Sequence, residues 1–159
     1  MRKSGILLPV SSLPSEYGIG AFSKEAYEFV DFLESAGQGF WQILPLGPTG
    51  YGDSPYQSFS TFAGNPYYIA LEELVEKGWL TKEECEECDF GGDNGYVDYE
   101  KIYLSRFRIL RKAYERSGIG KEEDFHRFQE ENRFWLEDYG LYMAVKNSFD
   151  GISWSEWDE

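Results

Sequence analysis

Residues 5–46, GILLPVSSLPSEYGIGAFSKEAYEFVDFLESAGQGFWQILPL, decide the fold class. Gly5 to Val10 is a short unbroken apolar run, and the SSLPSEYGIG that follows interrupts regular structure at Pro14, Gly18 and Gly20. The run reads as a buried strand. Ser23 then stands at an N-cap with Phe22 and Tyr27 at the two hydrophobic-staple positions, and Ala26, Phe29, Val30 and Leu33 recur at helical spacing until Gly37. A second apolar run, Phe40 to Leu46, stops before Pro48 and Gly50. Strand, helix and strand within about 40 residues, each strand almost wholly apolar, is the pattern of a parallel sheet covered on both faces. The fold class is α/β.

Downstream the periodicity turns helical. LEELVEK ends at Gly78, Thr81 and Glu84 form a capping box, and Asp98 caps a long segment, DYEKIYLSRFRILRKAYERSG. Tyr103, Phe107, Leu110 and Tyr114 make one apolar stripe of that segment. An acidic run from Lys121 to Glu131 follows, and then RFWLEDYGLYMAVKNSF, with Leu136, Tyr139 and Met143 on one face. Trp154 and Trp157 lie within a few residues of Glu159, where large aromatics stay ordered only under more chain. Two strands followed by helices alone also leave a sheet edge open. These features lead us to expect that the 159 residues begin a larger fold.

Charge excludes whole classes of partner. Lys and Arg number 15 against 29 Asp and Glu, for a formal balance of −14, so nucleic acid is not an expected partner. The same charge repels an anionic membrane surface, and no apolar run approaches the ~20 residues of a bilayer-spanning helix. Met1-Arg2-Lys3 opens no secretion signal, because the apolar run after it is too short and lacks a small-residue cleavage pattern. A cytoplasmic location is expected. Cys85 and Cys88 cannot build a disulfide framework or, with His126 as the one histidine, complete a zinc site; they read as small residues on an acidic helix, and His126 as a surface residue.

Aromatic side chains are the compositional excess: 12 Phe, 12 Tyr and 5 Trp, 18% of the chain. That is too many for disorder and more than a core of this size holds, and Tyr and Trp have flat faces and polar edges suited to sugar rings. The place to look is the loop from Gly47 to Tyr68, GPTGYGDSPYQSFSTFAGNPYY, beyond the C-terminal end of the second strand, where α/β folds bind ligands. Tyr51 and Tyr56 offer ring faces; Asp53, Ser54, Gln57 and Asn65 offer hydrogen bonds to hydroxyls; Gly50, Gly52 and Gly64 permit positive φ angles and close approach. The alternative is an Ω-loop whose aromatics fill its own interior. Asp53 invites comparison with a glycosidic carboxylate, but such chemistry needs a second acid and Asp53 has no evident partner: Glu16 lies in the other strand-end loop, and an Asp between Gly and Ser more often caps a turn or binds hydroxyls.

Three segments carry a resemblance: GILLPVSSLPSEYGIG, GFWQILPLGPTGYGDSPYQSFSTFAGNPYYI and FWLEDYGLYMAVK. Together they resemble the N-terminal third of the 4-α-glucanotransferases of the amylomaltase or disproportionating-enzyme family, over essentially the whole chain. The resemblance implies the N-terminal part of a (β/α)8 barrel, with residues 1–70 as its first βα units, 71–150 as an inserted helix-rich subdomain and 151–159 leading back to the barrel. A complete barrel takes about 250 residues, more than are present.

The implied activity is retaining transfer of α-1,4-glucan segments to a 4-hydroxyl, with no metal or cofactor. The implied partners are α-1,4-glucans and the rest of the same enzyme chain. The reaction carboxylates belong to motifs not found here, so no nucleophile and no acid is assigned. Ser54 and Tyr56 match positions lining the substrate cleft, Asp53 neighbours them, and Tyr51 with Tyr103 matches an aromatic pair gripping glucan at a second site. Tyr103 also falls on the stripe with Phe107 and could be core, while Trp41, within a strand, is expected to pack inside the barrel rather than touch sugar. Two other readings stand beside this one: a stand-alone glucan-binding module, and a scaffold using its aromatics for a protein partner.

Overall fold

In the computed structural model, which describes residues 2–50, 52–92 and 95–157, β1 (Gly5–Leu7) and β2 (Phe40–Gln42) pair in parallel. Gly5 lies opposite Phe40, Ile6 opposite Trp41 and Leu7 opposite Gln42. They are joined through α1 (Lys24–Ser35), the strand–helix–strand order read from the sequence. Both strands are shorter than the apolar runs containing them, and they are not buried: Ile6, Leu7, Phe40 and Ile43 are exposed. Proline explains the length. Leu8 still donates its N–H to the Gln42 carbonyl (3.0 Å), but Pro9 and Pro45 have no N–H to extend the ladder. The exposure arises because α1 covers the sheet through few residues, chiefly Phe29, edge-on to Trp41 at 5.0 Å. Trp41 donates its indole N–H to the Leu8 carbonyl (2.8 Å) and packs with Val10, Leu13 and Ala26 on the side of the sheet that α1 covers.

Helix α1 ends as its sequence requires. Gly37 at φ +68° donates to the Glu34 carbonyl and Gln38 to that of Leu33, both at 2.9 Å, closing a Schellman motif. Its beginning differs from expectation. Phe22 packs edge-on against Tyr68 (6.1 Å) rather than stapling to Tyr27, which is exposed, and buried Ser23 donates its hydroxyl to the Glu25 carboxylate instead of accepting a backbone N–H. Tertiary contact with the second loop has displaced the local staple.

A second core joins Tyr17, Ile19 and Tyr67 to α2 (Leu71–Glu76), α3 (Lys82–Glu86) and α4 (Tyr99–Ser117). Thr81 and Glu84 form the capping box, and Asp98 accepts the Lys101 N–H at 3.2 Å. On α4 the buried face is Ile102, Ser105, Arg106, Ile109 and Ala113, so Tyr103, Phe107 and Tyr114 of the stripe are exposed, while Leu110 packs on the core and the Phe107 ring meets its rim at Tyr67. The alternative that Tyr103 belongs to the core does not hold. Two parallel stripes lie side by side at helical spacing, and the one interrupted by Ser105 and Arg106 faces inward. Cys85 belongs to this core, its thiol pushed up to about 11 by burial, and Cys88 lies half-buried beside it.

Glu84 ties α3 to α4. Its carboxylate accepts from Lys112 Nζ at 2.5 Å and from Arg116 Nη1 and Nη2 at 2.6 and 2.8 Å. Arg116, then Lys112, holds this carboxyl at about 2, well below its usual 4.5. The folded state therefore binds this proton less readily than the unfolded chain does. Its contribution is fully present above about pH 4.5 and lost as pH falls towards 2. Denaturant titrations of Glu84→Gln against the parent should show a stability gap near pH 7 that closes over that window. A gap constant from pH 7 to pH 2 would contradict the ion-pair account.

By packing, residues 1–117 and 118–159 form two compact units. The second contains α5 (Glu123–Glu131) and α6 (Arg133–Ser148), with Leu136, Tyr139 and Met143 half-buried and His126 exposed. Trp157 stacks on Phe149, ring centres 5.5 Å apart, whereas Trp154 is exposed. Among the described residues no helix is long and apolar enough to cross a membrane.

Candidate functional site

Parallel pairing sends the loops after β1 and β2 off the same end of the sheet, where they meet each other and the start of α4. Phe22 donates its N–H to the Tyr68 carbonyl (3.1 Å), and Asn65 donates its N–H to the Leu46 carbonyl (2.8 Å). Asn65 is buried and its side-chain oxygen accepts the Tyr67 N–H at 3.0 Å, capping the 3-10 turn Pro66–Tyr68. This corrects the expectation that Asn65 offers itself to a ligand: its side-chain acceptor is engaged in holding Tyr67 and Tyr68. Ser58 and Ser60 likewise tie the middle of the loop, Ser58 donating to the Ser60 carbonyl and Ser60 Oγ accepting the Ala63 N–H.

On this scaffold the Gly50–Gln57 segment makes two turns. Asp53 N–H donates to the Gly50 carbonyl and Gln57 N–H to that of Ser54, each at 3.1 Å. Gly52 takes φ +93° and Asp53 itself φ +52°; Gly50 and Gly64, expected to share that freedom, do not take positive φ. An aspartate tolerates the left-handed region better than most residues, and here it turns the chain between the two hydrogen bonds. Asp53 and Ser54 are half-buried, while the Tyr56 ring is 73% exposed. The Tyr56 ring does not fill the loop's interior, as the Ω-loop alternative required. Tyr51 lies outside the described residues.

Burial raises the Asp53 carboxyl above its ordinary value, opposed by the Thr49 hydroxyl, which donates to Asp53 Oδ1 at 3.4 Å. Its charge in turn reaches the phenols of Tyr67 and Tyr99, both raised chiefly by burial and further by Asp53. The Ser11 hydroxyl, from the first loop, opposes the upward shift that burial gives the Tyr68 and Tyr99 phenols. From Tyr67 an aromatic chain leads outward, to Phe107 at 5.9 Å and on to Tyr103 at 5.3 Å. Tyr103 is 51% exposed, which settles its place on the surface rather than in the core.

The fold therefore links Tyr103 through Phe107 to Tyr67, a residue that the sequence did not single out, and the Asp53 charge reaches Tyr67 from the loop. Ser11, Tyr68 and Tyr99 were missed as well. A serine in SSLPS carries no local signal, and the adjacent tyrosines of NPYY share one sequence context although Tyr67 is buried and Tyr68 only half so. Chemically the cluster presents ring faces, hydroxyls and one carboxylate, a set that suits a neutral polyhydroxy ligand. It does not present two opposed acids. Glu16 is exposed and adds to the field at Tyr17, not at Asp53.

Comparison with known proteins gives a consistent picture. A family profile described as 4-alpha-glucanotransferase matches residues 8–159. A 4-alpha-glucanotransferase of Streptococcus pneumoniae is 52% identical over 159 residues, 99% of this chain and 32% of that protein. That of Clostridium butyricum is 53% identical over 150 residues, 94% of this chain and 31% of that protein. Among solved structures, the amylomaltase from Streptococcus agalactiae in complex with acarbose superposes with a TM-score of 0.91 at 42% identity, covering all of this chain and 32% of its own. The chain thus spans about a third of the length of the relatives it matches.

Proposed function

Because the chain belongs to the 4-alpha-glucanotransferase family, we propose that it supplies the glucan-binding loops of an enzyme that moves α-1,4-glucan segments to the 4-hydroxyl of an acceptor sugar. In a retaining reaction of this kind a carboxylate displaces the leaving glucan, which takes a proton from a carboxylic acid, and the acceptor hydroxyl then displaces the carboxylate, returning a proton. Those two acids are not assigned to any of these 159 residues. Asp53, Ser54, Tyr56, Tyr51 and Tyr103 hold substrate. The carrying observation is the exposure of the Tyr56 and Tyr103 rings, together with a half-buried carboxylate and hydroxyl at Asp53 and Ser54 in the loop that leaves the end of β2. The solved relative's complex with acarbose, a sugar, supports the same ligand class.

The larger architecture follows from the same reading. Residues 1–70 are the opening βα units of a (β/α)8 barrel, 71–150 a helical insertion and 151–159 the way back to the barrel, in a cytoplasmic enzyme. Exposed Ile6, Leu7, Phe40 and Ile43 support further strands and helices closing over this sheet. Helices α2, α3 and α4 share their core with Tyr17, Ile19 and Tyr67, so this part of the insertion and the strand-end loops are built together.

Maltoheptaose should raise the thermal midpoint of the 159-residue chain, because a ligand that binds only the folded state stabilises it. Tyr56→Ala and Tyr103→Ala should each weaken that binding, measured by calorimetry, by about tenfold, the loss typical of an aromatic anchor. A midpoint unmoved by maltoheptaose, or affinities untouched in both variants, would overturn the assignment.

A further inference from the structure

Arg106 is the least explained side chain of the first unit. It sits on the buried face of α4, 1% exposed, and none of the ion pairs among the described residues includes it. The Glu72 carboxylate acts on it through its field without coming within ion-pair distance, so hydrogen bonds must supply the rest of the compensation that a buried guanidinium needs. Its partners are two backbone carbonyls. Nη2 donates to the Ile69 carbonyl and Nη1, more weakly, to that of Tyr17 at 3.5 Å, while Nε has no protein partner. Tyr17 lies in the loop after β1 and Ile69 closes the loop after β2. One cation on α4 thus fastens both strand-end loops.

That placement matters because Tyr103 stands one turn before Arg106 on the same helix, its ring against Phe107, which packs on Tyr67 two residues from Ile69. A shift of α4 along either loop would move Tyr103 relative to the turn that carries Ser54 and Tyr56. We propose that Arg106 is a positioning residue: by clamping the Tyr17 and Ile69 carbonyls to α4, it sets the spacing between the Tyr103 ring and the Gly47–Tyr68 loop, and so couples two glucan-contacting surfaces without touching the sugar. The idea rests on the glucan-binding reading of those surfaces. An ion-paired arginine would only stabilise; one shared between carbonyls of two loops also measures a distance.

Arg106→Lys keeps the charge but replaces the planar fork with a single ammonium that cannot span both carbonyls in the same way. The decisive experiment is a double-mutant cycle with Tyr103→Ala, reading maltoheptaose affinity and thermal midpoint below the unfolding range of every variant. Arg106→Lys should weaken binding on the order of tenfold in the parent and by less than twofold once Tyr103 is gone, while lowering the midpoint equally in both backgrounds. Equal weakening in both backgrounds would reduce Arg106 to general stability and overturn the proposal. Amide hydrogen exchange offers a reading independent of sugar. In Arg106→Lys, or in Arg106→Gln if the lysine variant does not fold, exchange should quicken in residues 17–20 and 67–71 ahead of the α1 core. Uniform exchange would refute the clamp. If the parent does not bind maltoheptaose but exchange quickens locally, the clamp stands and the glucan reading is what has failed, taking with it the role in binding.

Discussion

Replacing Gly18 by alanine is expected to cost more than about 3 kcal/mol of folding free energy, a large share of the roughly 5–15 kcal/mol that holds a typical domain together. Two effects act at once. Gly18 has φ +75°, where a side chain is strained by about 1–2 kcal/mol. A Cβ there would also lie 2.1 Å from the Phe90 carbonyl oxygen and 2.8 Å from Phe90 Cβ. Backbone cannot swing aside as the end of a flexible side chain can, so relief means separating Tyr17 and Ile19 from Phe90 and Ile102, all members of one core. Gly37 provides the control. Its φ of +68° is similar, but a Cβ there meets nothing within 4 Å, so Gly37→Ala should cost only about 1 kcal/mol. Denaturant midpoints of the two variants test the contrast. Equal losses would show that conformational strain alone governs both sites and that the packing around Gly18 yields easily.

Maltotriose incubated with the purified 159-residue chain should remain intact, with glucose no higher than in buffer. Retaining glycosyl transfer needs two carboxyl groups about 5–5.5 Å apart on either side of the scissile bond. At the candidate site Asp53 is shifted by burial and by the Thr49 hydroxyl, and no second acid acts on it. The expected profile is therefore affinity without turnover. Glucose release that disappears in Asp53→Asn would place a reacting carboxylate in this loop and reverse the division of labour proposed above.

How much of this was legible beforehand depends on the range of the forces involved. The Thr81–Glu84 capping box, the Asp98 cap and the Gly37 stop were read correctly, because each is a contact between residues a few positions apart. The staple at Phe22 failed because Tyr68, far along the chain, offered a better partner. The alternative that Tyr103 belongs to the core could not be decided from the sequence for a related reason. Periodicity shows that Tyr103, Phe107 and Tyr114 share a side, but which side faces the core depends on what packs there, and the inward face carries an arginine that no hydropathy pattern would bury.

By itself the sequence determined the order of strand, helix and strand, the helical second half, the glycine- and tyrosine-rich loop and the resemblance of its segments to one family, since these are properties of neighbouring residues and of long unbroken matches. Only the tertiary structure decided that Tyr103 faces solvent, that the Asn65 side-chain oxygen braces the loop, and that Tyr67 and Arg106 join the strand-end loops to one helix. Those outcomes rest on hydrogen bonds and ring contacts across tens of residues, as between Arg106 and the Tyr17 and Ile69 carbonyls. Burial of a polar group is worthwhile only where the folded chain brings its partners within reach.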